Sequence, residues 1–254
     1  MLRIKTFLIA VALSATAGTA SAAGGHALTY KFEPDSNNIQ SAQRGARNFM
    51  NYCSGCHSMK HLRYGRLATD LNIPEDLLKA NLMFTSEKPG DHILSSMPKE
   101  EAAKWFGQPP PDLTVETRMR GADWVYNFLM TFYVDGAKAA GVNNLTLPGA
   151  SMPHVLADLQ GLQVKVEHKA EEGHAEAGHG GGHHAGPVFE LAQPGKLSPD
   201  EYKKFVADTV NFMHYAAEPG RNARISLGYK VMLFLFVFTF LAYLMKKEWW
   251  KDVH

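Results

Sequence analysis

Apolar residues are spread unevenly along this chain, and their spacing changes character several times. Arg3 and Lys5 precede an apolar run from Phe7 to Leu13, and small residues then lead to Ala20-Ser21-Ala22. A basic start, a short apolar stretch and a small-residue end predict a secretory signal peptide over residues 1–22, cleaved ahead of Ala23. That run is too short to cross a hydrocarbon core of about 30 Å. A second run, Leu227 to Met245, carries a single charge, Lys230. As a helix its roughly 19 residues rise about 28 Å, enough for one crossing. Lys230 can snorkel to the interface, while Lys246, Lys247 and Lys251 with Trp249 and Trp250 flank the far end. The pattern predicts a transmembrane helix over 225–246 and a tail over 247–254.

Between these runs the periodicity is helical in four places. Ala42 to Cys53 reads as a helix with Phe49, Met50 and Tyr52 near its end and Arg44 and Arg47 on the solvated side. Asp70 to Lys79 reads as a short helix with Pro74, Glu75 and Asp76 in its first turn. Ala122 to Val134 repeats Trp124, Val125, Phe128, Leu129 and Phe132 at helical spacing. Ser198-Pro199-Asp200-Glu201 then signals a capped helix start, followed by an apolar face of Phe205, Val206, Thr209, Val210 and Met213. Glu218-Pro219-Gly220 ends that helix. Lys88 to Asp112 is turn-rich and contains Pro109-Pro110-Pro111. The triplet must be extended, either as a surface loop or as a stiff wall beside a ligand. The sequence therefore predicts a mostly α chain with long loops and one C-terminal membrane helix.

One segment lacks any apolar pattern. His168, His174, His179, His183 and His184 lie among Gly, Ala and Glu, a composition that cannot bury enough surface to order itself. A disordered loop over 165–187 is the expectation, with binding of a transition metal as the sharper alternative. Charge adds little. From Ala23 to Gly220 there are 18 Lys and Arg against 23 Asp and Glu. That mild acidity suits a basic protein partner and argues against nucleic acid.

The chemistry is concentrated in Cys53-Ser54-Gly55-Cys56-His57. Cys-x-x-Cys-His is the spacing of covalent c-type haem attachment, in which two thiols add to the haem vinyls and the histidine ligates iron. Cys53 and Cys56 are the only cysteines in the chain. A zinc ribbon would need two more, and a thioredoxin-like pair would need a βαβ setting. Secretion agrees with haem attachment, since export and attachment in bacteria share a compartment. The second axial ligand decides what the iron does: a vacant site binds small ligands, and a Met/His site carries electrons. Met97 and Met152 both stand beside prolines, and chain distance favours Met97. Arg118 and Arg120, just before a helix start, are either solvated or placed to neutralise haem propionates.

Several segments taken in order resemble the cytochrome c1 family, the haem subunits of quinol–cytochrome c reductase. They are Asn51 to Met59 with Leu62-Arg63-Tyr64, Pro110 to Leu113, Pro148 to Pro153, Ala216 to Pro219, and the C-terminal span with its lysines. The resemblance implies a cytochrome c-like haem domain over 23–224, with one haem c held through Cys53 and Cys56. It implies His57 and Met152 as axial ligands, and it places the propionate arginine on Arg118 with Arg120 beside it. Trp124 falls where the family carries a tyrosine; an indole nitrogen donates but offers no hydroxyl.

By the same resemblance the chain takes electrons from the Rieske iron–sulfur protein and passes them to a c-type cytochrome, in a complex that also holds cytochrome b. It is then no enzyme on its own. It would sit in the bacterial inner membrane with its haem domain in the periplasm and its C-terminus in the cytoplasm. The alternatives are an independent anchored cytochrome feeding a terminal oxidase, a haem protein with a vacant site, and a metal binder using the His-rich tract.

Overall fold

The structure is a computed structural model, and it describes residues 28–35, 37–166 and 188–252. The predicted signal peptide and almost all of the His-rich tract lie outside the described residues. Lys165 and Val166, assigned above to that tract's loop, belong to a β-strand.

Two long helices frame the domain that precedes the C-terminal apolar helix. Helix α1 (Ile39–Tyr52) starts where the Asn38 side chain accepts the Ser41 N–H, and it buries Ala42, Ala46, Phe49 and Met50. It packs on α8 (Pro199–Ala217), which meets it through Phe205, Asp208, Thr209 and Phe212. The crossing is tight because Gly45 has no side chain: a Cβ there would lie 2.0 Å from the Asp208 carbonyl oxygen. Helix α8 begins with the predicted capping box, in which Ser198 and Glu201 exchange hydrogen bonds. Asp208, buried on α8, receives a two-pronged contact from Arg44 at 2.6 and 2.8 Å and a third bond from the Ser41 hydroxyl.

The rest of the domain is built from shorter pieces. The 70–79 helix of the sequence reading is two helices, α2 (Tyr64–Asp70) and α3 (Glu75–Asn81). Asn72 takes a left-handed φ of 51° between them, and Pro74 caps α3 rather than entering it. The turn-rich stretch holds a helix that its prolines obscured, α4 (Lys99–Phe106), closed by Gly107 at φ 79°. Helices α5 (Glu116–Met119) and α6 (Ala122–Met130) follow. The helix expected to reach Val134 stops at Met130, and Phe132–Val134 is strand β3.

Three small antiparallel ribbons complete the domain: β1 (Met59–Arg63) with β2 (His92–Ile93), β3 with β4 (Val142–Asn144), and β5 (Gly161–Val166) with β6 (Val188–Pro194). A short helix, α7 (Ala157–Gln160), leads into β5. Buried side chains tie these pieces to the helices. Tyr202 donates its hydroxyl to the Leu129 carbonyl, and Gln163 donates to the carbonyls of Met130 and Phe132. Asn127, fully buried, both accepts from and donates to the backbone of Tyr30.

After Pro219-Gly220 the chain enters α9 (Arg221–Trp249), a 29-residue helix with mean hydropathy 2.0 in its most apolar window and no buried residue. It is long and apolar enough to cross a membrane once.

Candidate functional site

Helix α1 runs directly into the cysteine motif. The N–H groups of Cys53 and Ser54 both reach the Phe49 carbonyl, and the Ser54 hydroxyl donates to the Met50 carbonyl. The chain then makes one more tight turn, with Cys56 and His57 both donating to the Cys53 carbonyl at 3.1 and 2.8 Å. The two thiols and the imidazole are thus presented from a rigid helix end.

The His57 ring is nearly buried, and its Nδ1 lies 2.7 Å from the Pro111 carbonyl oxygen. A carbonyl only accepts, so Nδ1 carries the proton and Nε2 keeps its lone pair. Burial lowers the His57 pKa; the Pro111 bond and the charges of Glu116 and Asp112 work in the other direction. The neutral ring that results is the form that ligates a metal. The proline triplet is therefore a wall with a job: its last carbonyl orients the ring. Asp112 supports this wall, accepting from the Lys60 N–H and the Thr114 hydroxyl. No sequence signal marks a backbone carbonyl as functional, and that role was missed.

These groups line a cavity of about 380 Å³, within the range of cofactor sites. Its walls are mostly apolar: Leu113, Trp124, Val125, Phe128, Leu129 and the prolines, with Pro148 to Pro153 closing one side. Cys53, Cys56, His57, Met152 and Arg120 all line it; Met97 and Arg118 do not. Arg118 faces Glu218, 3.7 Å away, at the foot of α9. Arg120 pairs with Glu116 at 2.6 Å, and its guanidinium lies 4.3 Å from the centre of the Trp124 ring. Glu116, a nearly buried carboxylate on the cavity wall, was also missed from sequence. Met213 lines the cavity too, from the core face of α8.

The donor set fits haem c. Cys53 and Cys56 present two sulfurs to the cavity from the end of α1, at the spacing two thioethers need. Among the described residues no group of three or more His, Cys, Asp and Glu side chains gathers into a metal cluster. A wide apolar slot with paired sulfurs, an oriented imidazole and a nearby arginine has the lining that a covalently held haem needs.

Comparison with known proteins narrows the class. The Cytochrome C1 family matches residues 30–172 and 197–253. Cytochrome c1 of Allochromatium vinosum is 47% identical over 99% of this chain and 98% of its own length. A protein of Nitrosomonas europaea named as an ammonia monooxygenase gamma subunit is 41% identical over the whole of both chains. Among solved structures, a chain of a hyperthermophilic respiratory Complex III aligns over 99% of this chain and 98% of its own, at 16% identity and a TM-score of 0.45. The chain belongs to the cytochrome c1 family, and covalent c-type haem is its cofactor.

Proposed function

We propose that this chain is the membrane-anchored, single-haem electron relay of a quinol–cytochrome c reductase complex. It takes electrons one at a time from a Rieske iron–sulfur protein and hands them to a c-type cytochrome, with cytochrome b as the third partner. The observation that carries this reading is the convergence of Cys53, Cys56, His57 and Met152 on one apolar cavity. Haem c bound there supplies a one-electron iron couple, with the raised potential of Met/His ligation.

The chain's residues do the rest. Cys53 and Cys56 fix the porphyrin edge to the end of α1, and Pro111 holds the His57 imidazole in its ligating tautomer. Met152 would supply the iron's second protein ligand, a thioether sulfur opposite in kind to the His57 nitrogen. Met213 packs into the main hydrophobic cluster, whereas Met152 lies outside it, on the irregular segment that closes one side of the cavity. Arg120, which lines the cavity, offers charge to a propionate, and Arg118, which does not, faces Glu218. No bond of a quinol is broken on this chain, so it is an electron carrier and not an enzyme by itself. Residues 1–22 direct export and are removed, residues 23–224 form the periplasmic haem domain, α9 anchors it, and the tail from 247 stays in the cytoplasm. The acidic excess of the exported part steers a basic cytochrome, with a rate that falls as salt rises.

Purification from membranes in mild detergent tests the assembly: co-elution with cytochrome b and a Rieske protein is expected. Co-elution with a monooxygenase instead would favour the alternative suggested by the Nitrosomonas relative's name. Elution alone, with direct transfer to an oxidase, would favour an independent cytochrome. Optical spectra of Met152→Leu, Met213→Leu and Met97→Leu proteins test the ligand. Only the Met152 variant is expected to lose the weak Met-to-iron band at the red end.

A further inference from the structure

The segment from Leu145 to Pro153 brings Met152 to the cavity, yet it contains no helix or strand. Its backbone is nonetheless held, and by two neighbouring side chains of β4. Asn144, fully buried, accepts the N–H groups of Thr146 and Leu147 on its Oδ1 at 2.9 and 3.0 Å. Its Nδ2 donates to the Phe128 carbonyl at 2.7 Å, which fixes the amide's orientation. Asn143, also buried, accepts the Gly149 N–H on its Oδ1 at 2.8 Å and donates from Nδ2 to Asp135 at 2.9 Å.

Gly149 sits at φ 79° in a turn where Ala150 donates to the Leu147 carbonyl and Pro148 holds the preceding position. Proline followed by a left-handed glycine is the signature of a type II turn. Beyond Met152, the His154 ring stacks on Phe132, with centroids 4.9 Å apart and planes within 4°. Phe132 is the β3 residue paired with Asn144. Both ends of the excursion are therefore pinned to one hairpin.

We propose that the β3–β4 hairpin, acting through Asn143 and Asn144, positions Met152 and keeps the sixth iron position closed. The inference rests on Met152 being the axial ligand. A thioether is uncharged and a weak donor. How often the sulfur sits in place then depends on how few conformations its loop can sample. Three side-chain bonds to loop amides remove much of that freedom. Asn143 and Asn144 are positioning residues in this account, since neither lines the cavity.

The test uses the detergent-purified, haem-loaded protein, with carbon monoxide added to the reduced form and the red-end band read in the oxidised form. Asn143→Ala is expected to weaken the band and raise apparent carbon monoxide affinity roughly 2- to 10-fold, as one lost hydrogen bond shifts the open fraction. The exchanged pair Asn143→Asp with Asp135→Asn keeps an acceptor for Gly149 and a donor facing it, and is expected to restore both readings. A native band and native carbon monoxide affinity in Asn143→Ala would overturn the proposal, as would failure of the exchanged pair to repair a defect. Met152→Leu is the separate check on the ligand: a band that survives there removes the ligand reading itself. Should Asn143→Ala fail to fold, hydrogen exchange on the native protein decides. Protected amides at Thr146, Leu147 and Gly149 are expected, and fast exchange there would refute the clamp.

Discussion

Arg118 lies on α5 and Arg120, two residues on, caps its C-terminus with helical backbone angles, so they point about 200° apart and only one can face the cavity. The structure turns Arg120 inward. Replacing Arg120 by glutamine removes a positive charge beside the iron and favours the ferric form. A fall in midpoint potential of roughly 30–60 mV is expected, up to about a tenfold change in the one-electron equilibrium. Arg118→Gln should leave the potential where it is, and redox titration of both variants checks the pair. The methionines carry a similar lesson. Distance along the chain favours Met97, but Met97 does not line the cavity, and the longer excursion to Met152 is the one that returns. Residue types and motif spacing were thus legible in the sequence. Which of two equivalent neighbours faces inward was not, because that depends on packing. Asp208 shows the same at a structural site: it reads as a surface charge until Arg44 and Ser41 close on it. Asp208→Ala should cost about 2–3 kcal/mol, discounted because Arg44 is partly exposed and can rehydrate; urea unfolding measures it.

At the scale of elements, the long periodic helices were readable and the short pieces were not. Helix α8 begins where its capping box says it must, and α1 ends within one residue of its predicted limit. Ribbons with strands of two or three residues carry no periodicity to detect, and α4 is hidden by the prolines on either side of it. Gly45 is the opposite case: helix propensity marks it as unfavourable, yet the crossing of α1 and α8 requires it. Gly45→Ala should destabilise the domain by about 2–3 kcal/mol or more, because the clash is with backbone and cannot be relieved by a rotamer. Thermal unfolding followed by haem absorbance reads this out. Ser198→Ala should cost about 1 kcal/mol by the same assay. The Glu201 carboxyl is held below the usual carboxylate range by the side-chain and backbone donors of Ser198. Its share of stability is therefore complete above the unfolded carboxylate pKa and is lost as pH falls through the folded value. Glu201→Gln should lack that part of the acid-side decline.

Over the whole molecule, α9 leaves the folded domain after Pro219-Gly220, with an ion pair between Arg224 and Glu218 at the junction. No residue of α9 is buried, so ending the chain at Gly220 should leave the haem spectrum and unfolding temperature of the domain unchanged while it no longer partitions with membranes. The His-rich tract is a different case. The family match lapses between residues 172 and 197, and the flanking residues Val166 and Val188 are paired in register on β5 and β6. Removing His168 to His184 is accordingly expected to leave electron transfer intact, which stopped-flow oxidation of the reduced protein can measure. At the base of the same ribbon Gly161 and Gly195 press backbone to backbone, with the Gly195 N–H nitrogen 2.6 Å from where a Gly161 Cβ would stand. The ribbon thus departs and returns through a single pinch. Such a geometry makes the position a splice point: a fluorophore-bearing peptide or an affinity handle set between Val166 and Val188 would ride on the protein as a passenger, reporting its encounters without altering its iron.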